Sequence, residues 1–517
     1  MPHLRAARPP RALLVAAVVA CALAAIPLGY LLVRVGSAGF EDVLAVFDRP
    51  RVPVLIGNTV LLAASVTLST VAIGVPSAFL LARARLRARA VWTVLAALPL
   101  AVPSYLAAYG WLAALPWMQG FWAAWFVLTL VAVPYVTLPV AAALRAGTTG
   151  LDDVARTLGR GPLAAFRLGT WPQIRPAVLA GALLVCLYTL SDFGGVALFR
   201  YQVLTTAIQQ AYGASFNRDY AAILASLLVL LALTVVIAEQ FARGRAARQF
   251  GAVTGQPRQR RVRLGQWTAP AVVLLAVPSA LAVAVPVTVL VVRLFEAQTL
   301  RAFHPAELVA ATGNTVLLSA GGALVAIALA LPIGVLAARY RGRVVRAVET
   351  TGYLALGLPG IVVGLSLVFF SLAAVPALYQ TAFVLAFAYG VLFMPKAIGG
   401  IRGATAQVPT SLEDVSRTLG NGRLRTWWLV TARLARPGIA AAALLVAVTA
   451  MKELPATLLL RPTGTDTLAT ELWSRTDVSA YGAAAPYAVT LILVAAVPAF
   501  LLSHARAGAG ELEEATA

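Results

Sequence analysis

Apolar blocks of about twenty residues recur along the whole chain, separated by short arginine-rich stretches, and that alternation leaves few folds open. A helix needs about 20 apolar residues to cross the hydrocarbon core of a bilayer. Within lipid every backbone N–H and C=O must be satisfied internally, so only helices and closed barrels span it. Barrel strands would be about 10 residues long and alternating, which these continuous blocks are not. Of the 517 residues, 60% are hydrophobic and only 12% charged, against about 25% charged in a soluble domain. The expected class is an all-α integral membrane protein in a lipid bilayer. We read about twelve transmembrane helices, near residues 12–34, 56–82, 90–115, 121–144, 176–199, 218–241, 268–293, 310–338, 348–373, 381–401, 437–460 and 482–504, the third and ninth being the least clean.

Charge is equally lopsided, with 41 Lys and Arg against 20 Asp and Glu, a formal balance of +21. Cytoplasmic loops of membrane proteins collect Lys and Arg. Placing both termini in the cytoplasm puts most of these residues on that side, so topology accounts for the excess. No nucleic-acid partner is expected, because the basic residues are scattered between spans and not gathered into one domain. Two cysteines, Cys21 and Cys186, lie in apolar runs and give neither a disulfide framework nor a Cys-based zinc site. Arg5, Arg8 and Arg11 before an apolar run also describe a signal peptide, but the run continues to Val33, too long for a cleaved segment.

An internal repeat sets the architecture. Asn58-Thr59-Val60-Leu61-Leu62 returns as Asn314-Thr315-Val316-Leu317-Leu318, and the same offset of 256 carries Pro76 onto Pro332, Arg83 onto Arg339 and Pro103 onto Pro359. Further on the offset is 261, and Leu151 to Gly159 aligns with Leu412 to Gly420, Asp192 with Glu453, and Arg200 with Arg461. The chain thus reads as a tandem duplication of a six-span unit. An even number of spans per unit makes the repeats parallel, with a pathway expected between the halves. The expected domains are a first repeat over 1–242, a basic cytoplasmic linker over 243–266 and a second repeat over 267–517.

The long cytoplasmic gap after the fourth span of each unit, about 145–175 and 402–436, is the most informative segment. Thr149 with Asp152, and Thr410 with Glu413, have the spacing of a capping box. Asp153 and Asp414 come next in the first turn, where the helix dipole favours negative charge. Gly159 and Gly420 then suit the left-handed C-terminal position that ends a helix. Each copy should hold a short surface helix, a glycine turn and a second segment seated by Phe166 and Trp171, or by Trp427 and Trp428. Alone this is a well-capped helix. Its presence at the same place in both repeats points to a two-fold partner.

The stretches Leu151 to Ala177 and Leu412 to Gly438 resemble the EAA loop of permease subunits of binding-protein-dependent ABC importers. The acidic position is Asp153 or Asp414, the two alanines read Val154-Ala155 and Val415-Ser416, and the glycine is Gly159 or Gly420. The family's later Leu-Pro reads Trp171-Pro172 in the first copy but Ala432-Arg433 in the second. The resemblance implies that Asp152, Asp153, Ala155, Gly159, Pro172, Glu413, Asp414, Ser416 and Gly420 belong to coupling loops that dock two copies of an ATPase subunit. It also implies a location in the cell inner membrane, an extracytoplasmic substrate-binding protein, and ATP and Mg on the partner ATPase, with no cofactor in this chain. The fused six-plus-six layout resembles the ferric iron permeases in particular, as do Ser191 to Val196 and Met451 to Pro462.

Catalytic chemistry is not expected in this chain. A phosphate-cradling loop needs Gly-Lys followed by Ser or Thr, and the only lysines, Lys396 and Lys452, come after Pro395 and Met451. His3, His304 and His504 are far apart and lack paired acidic neighbours. Ionisable groups within spans are costly and mark function by default. For Asp192, Lys452 and Glu453 two roles fit: shaping a translocation path or its outer gate, or Lys452 neutralising Asp192 to hold helices together. Arg200 and Arg461 suit either interfacial anchoring or docking of a bilobal binding protein. Thiamine or another small solute is the alternative cargo. The rival from another class is a proton-coupled secondary transporter, whose acidic-basic signature after the second span is absent here, where only Arg83, Arg85, Arg87 and Arg89 stand.

Overall fold

The computed structural model describes residues 9–147, 154–155, 157–213, 217–247, 262–296, 299 and 304–514. Among the described residues the fold is helical throughout, with one isolated parallel bridge between Ala84 and Val262. Among the described residues nine helices are long and apolar enough to cross a membrane, and three bent pairs bring the number to twelve if each pair is one span. Most of the expected basic linker, 248–261, falls outside the described residues.

The bent pairs have identifiable causes. Arg11–Ala24 and Ile26–Ser37 meet at 46°, where Pro27 removes an N–H and its ring crowds the carbonyl one turn back. The third and ninth expected spans are more sharply broken. Arg89–Ala101 and Ser104–Ala114 meet at 90°, and Arg343–Gly357 and Gly360–Ala374 at 102°. Val102 and Leu358 are extended at these breaks, as residues before proline are, and Pro103 and Pro359 open the next helices. The proline pair visible in the repeat is therefore a pair of bends.

The expected fifth and eleventh spans begin earlier than hydropathy indicated. Their helices run over Leu163–Ser191 and Arg423–Met451, through Pro176 and Pro437, with π turns at Phe166–Thr170 and Trp427–Thr431. A wide turn of this kind absorbs an extra residue without ending the helix. The segment expected as a separate amphipathic piece after each glycine is thus continuous with the span.

The residues form two compact units that do not follow the repeat boundaries in sequence. One comprises Met1–Gly39, Ala302–Arg475 and Pro486–Ala517, the other Phe40–Arg301 and Thr476–Ala485. In the first unit Ala17, Ala20, Cys21 and Ala24 join a buried cluster with Ala326, Ile333, Leu336, Val391, Ile398, Ile401 and Val446. Helix Pro305–Arg339 lies along Ala382–Gln407, so closely that a Cβ on Gly322 would come within 2.5 Å of the Tyr389 Cβ. Small residues at such contacts let helices gain dispersion contacts in lipid, where no hydrophobic force drives them together. In the second unit, Arg51–Arg83 packs on Gly120–Ala146, and both contact Trp171–Ser191.

Candidate functional site

The second-copy surface helix spans Thr410–Thr418. Its end is a Schellman turn: Gly420 has φ +84°, its N–H donates to the Arg417 carbonyl, and the Asn421 N–H donates to the Ser416 carbonyl. The start differs from the expected capping box. Pro409 is the residue before the helix, and no side chain caps it. Glu413 instead turns inward, with Oε1 2.7 Å from the Arg339 guanidinium. The same oxygen accepts the Thr431 hydroxyl at 2.7 Å. The buried guanidinium at the end of helix Pro305–Arg339 offers a charge-assisted bond, which is stronger than one from a backbone N–H. Arg339 also donates to the Val408 carbonyl at 3.0 Å, just before the helix. Ser416 is buried and lies 3.2 Å from the Thr426 hydroxyl, whereas Asp414 is exposed, 3.8 Å from Arg417.

In the first copy Asp152 and Asp153 lie outside the described residues, as does Thr149. From Val154 onward the described residues repeat the second copy's arrangement. Ala155 is buried where Ser416 is, Gly159 has φ +77°, and the Arg160 N–H donates to the Ala155 carbonyl. Arg83 and Thr170, which the repeat sets against Arg339 and Thr431, are buried too. Pro172 is not what shapes this region. Both copies carry the same π turn, although the second has Arg433 in its place. Each surface helix presents an apolar pair to the outside: Val154 and Leu158 in one, Val415 and Leu419 in the other, with Leu158 at 74% and Leu419 at 77% exposure.

The expected intramembrane charges sit where spans break. The helix ends at Ser191, and the Asp192 carboxylate accepts the N–H groups of Gly195 and Val196 at 3.0 and 3.1 Å. It also takes a hydrogen bond from the Ser104 hydroxyl. Glu453 behaves alike: Oε1 accepts the Ala456 N–H at 2.9 Å, and Oε2 accepts the Thr457 N–H at 3.0 Å and its hydroxyl at 2.8 Å. Thr457 in turn lies 2.7 Å from the Tyr389 hydroxyl. Both carboxylates are buried caps of the short helices Gly194–Leu198 and Pro455–Leu460. Lys452 directly succeeds the end of its span. Arg461 is ion-paired with Asp466, and Arg200 is exposed in the left-handed region at φ +54°.

The description "binding-protein-dependent transport system inner membrane component" is matched twice, over residues 71–245 and 330–506, so each match contains one of these surface helices and one of these buried carboxylate caps. The chain belongs to that permease family. Among its curated relatives is the Fe(3+)-transport system permease protein FbpB 2 of Haemophilus influenzae, 34% identical over 92% of this chain and 95% of the relative. The molybdenum transport system permease protein ModB of Mycobacterium tuberculosis is 29% identical over 44% of this chain and 92% of its own length. The sulfate transport system permease protein CysT of Escherichia coli is 24% identical over 34% of this chain and 69% of its own. Permeases of this family are multi-pass membrane components of ABC transporters and not their catalytic subunits.

Two features of this permease were missed in the sequence. The Arg339, Glu413 and Thr431 cluster was signalled by the repeat, since Arg83 and Thr170 recur in register with two of its members. Lys396 was noticed only as an unsuitable nucleotide-binding residue, yet its position after Pro395, inside a span, is a signal of its own.

Proposed function

We propose that this chain supplies both halves of the membrane permease of an ATP-driven ferric iron importer. The carrying observation is identity of 34% along 92% of the chain with a permease named for Fe(3+) transport. Counting each bent pair as one span gives twelve, and two six-span repeats then lie parallel about an axis along the membrane normal. Both termini and the basic linker belong on the cytoplasmic side of the cell inner membrane, where arginine collects. Two ATPase subunits, holding ATP and Mg, dock on the surface helices through Val154 and Leu158 and through Val415 and Leu419. Closing on ATP, they lever the halves toward an outward-open state, and hydrolysis resets them. An extracytoplasmic binding protein docks near Arg200 and Arg461 and releases its iron into the path, and the breaks at Asp192, Lys452 and Glu453 shape its outer gate.

The test is uptake of radiolabelled ferric iron by cells lacking this chain, complemented with wild type or with Gly159→Val and Gly420→Val together. A Cβ at either glycine meets nothing within 4 Å, so the change acts through backbone strain alone, about 1–2 kcal/mol per site. Rescue by wild type and not by the double variant is expected. Equal rescue by both would overturn the coupling assignment, and no rescue by wild type present in the membrane would overturn ferric iron as cargo.

A further inference from the structure

A groove of about 730 Å³ lies in the unit that carries the Thr410–Thr418 helix, and every residue lining it belongs to that unit. One wall is helix Arg11–Ala24, through Ala16, Val19 and Leu23, and the other is helix Pro305–Arg339, through Ala328, Pro332 and Val335. Ala16 and Ala328 are exposed, and their small side chains leave the slot open. From Ala328 to Arg339 the groove follows about 16 Å of helix, at a rise of 1.5 Å per residue. Helix Pro305–Arg339 and the bent pair that begins with Arg11–Ala24 are both apolar enough to cross a bilayer. The apolar length of the groove therefore lies at hydrocarbon level, out of reach of a water-soluble ligand. Its other end is polar, lined by Arg339, Glu413, Arg417 and Arg423 beside Trp427. Tryptophan collects where hydrocarbon meets headgroups.

Charge at the polar end does not balance. Glu413 is taken by Arg339, at 2.7 Å. Arg417 is left 3.8 Å from both Glu413 and Asp414, well beyond the roughly 2.7–2.9 Å of a charge-assisted hydrogen bond. Among the described residues the buried Nε atoms of Arg339 and Arg417 have no hydrogen-bond acceptor. Arg423 is exposed, and no carboxylate among the described residues pairs with it. Buried donors without acceptors are rare in folded proteins. What fits them is a negatively charged group with several oxygens, carried at the head of an apolar chain.

The other unit has the slot without these charges. Pro76, Phe79 and Phe166, which the repeat sets against Pro332, Val335 and Trp427, line a space of about 560 Å³ with Leu264, Trp267 and Pro270. Among the described residues that lining is apolar or aromatic throughout, and Pro162 stands where the repeat has Arg423. The described residues thus supply the apolar slot twice and the cationic mouth once.

We propose that the first groove binds an anionic phospholipid of the surrounding bilayer, with one acyl chain between Ala16 and Ala328 and its phosphate on Arg417 and Arg423. Basic pockets between membrane helices take such headgroups. Arg417 belongs to Thr410–Thr418 and Arg423 opens the next helix, so one phosphate shared by them ties the surface helix to the span that follows it. The inference needs only the membrane location and holds whatever cargo is carried.

The test places full-length permease in phosphatidylcholine nanodiscs doped with a trace of phosphatidylglycerol or phosphatidylcholine carrying a diazirine on the acyl chain. After photolysis, peptide mass spectrometry should find the phosphatidylglycerol probe on 12–23 and 328–335, about five- to thirtyfold more than the phosphatidylcholine probe. Arg417→Gln with Arg423→Gln should remove that preference, and Arg417→Lys with Arg423→Lys should keep most of it. Ala16→Phe, at an exposed position, should block labelling from the apolar end without disturbing the fold. Around Phe79 and Trp267 the two probes should label alike. With phosphatidylglycerol as half the lipid, hydrogen exchange over 410–418 should slow in wild type and not in the Gln pair. Equal labelling by both probes in wild type overturns the anionic headgroup, and a preference that survives the Gln pair overturns the arginines as its seat. No labelling of either wall overturns lipid occupancy, and loss of the preference on adding inorganic phosphate gives the arginines to a soluble anion instead. Exchange that is the same in both membranes overturns the tie between surface helix and span.

Discussion

Glu453 reaches over Gly360 so closely that a Cβ there would lie 2.6 Å from its Oε1. In the other repeat the corresponding residues are Asp192 and Ser104, joined by a hydrogen bond. The longer acid is matched by the residue without a side chain, and the shorter acid by a hydroxyl that fills the gap. Each pair ties the start of the helix after a proline bend to the cap of a broken span. Gly360→Ser alone should overpack this contact, at a cost of about 1–3 kcal/mol. Adding Glu453→Asp recreates the first repeat's pair and should recover most of the loss, so the two changes should be strongly non-additive. Thermal unfolding of the detergent-purified permease across the four-member cycle reads this, and additive losses would remove the compensation.

Arg339 and Glu413 form the anchor of the second surface helix, each side chain about one-tenth exposed. Removing one partner of a buried pair leaves an uncompensated charge and costs about 3–5 kcal/mol, while replacing both with apolar residues is far milder. Arg339→Met should therefore loosen Thr410–Thr418 and uncouple ATP hydrolysis from uptake, and Arg339→Met with Glu413→Leu should restore part of the coupling. Hydrogen exchange over 408–420, with the ratio of ATP hydrolysed to substrate moved, measures both effects. Unchanged exchange in the single variant would refute the anchor.

The duplication, the helical class and the glycine-ended surface helices were legible because each rests on a local pattern: an offset, an apolar run, a residue that tolerates positive φ. Span starts near Pro176 and Pro437 were misplaced because hydropathy falls at Arg167 and Arg175, or at Arg425 and Arg433, while the helix needs only its backbone bonds and continues through them. The capping box at Thr410 and Glu413 had the right spacing and the wrong partner, since only tertiary structure brings Arg339 to the carboxylate. The packing of Ala17, Ala20 and Cys21 into a unit built mostly from the second repeat left no trace in sequence, because small residues at helical spacing look alike wherever they pack.

Pro172→Ala should be nearly silent. The second copy makes the same π turn with Arg433 at that position, so the proline does not dictate the turn, and its replacement is expected to change stability by less than about 1 kcal/mol. Uptake and membrane abundance should match wild type within about twofold. A loss of tenfold or more would show that the two copies are shaped by different local causes.

Leu158→Ser and Leu419→Ser should weaken ATPase docking without harming the permease itself. Both side chains are mostly exposed and stand three residues after a buried seat, Ala155 or Ser416, so the fold does not depend on them. Burying a leucine in an interface is worth about 1.5–3 kcal/mol, which corresponds to roughly tenfold to a hundredfold in affinity per site. The double variant should therefore be present in the membrane at wild-type levels yet recover far less ATPase on purification, and a single variant should be intermediate. Full ATPase recovery with the double variant would mean that the exposed leucines lie outside the docking surface.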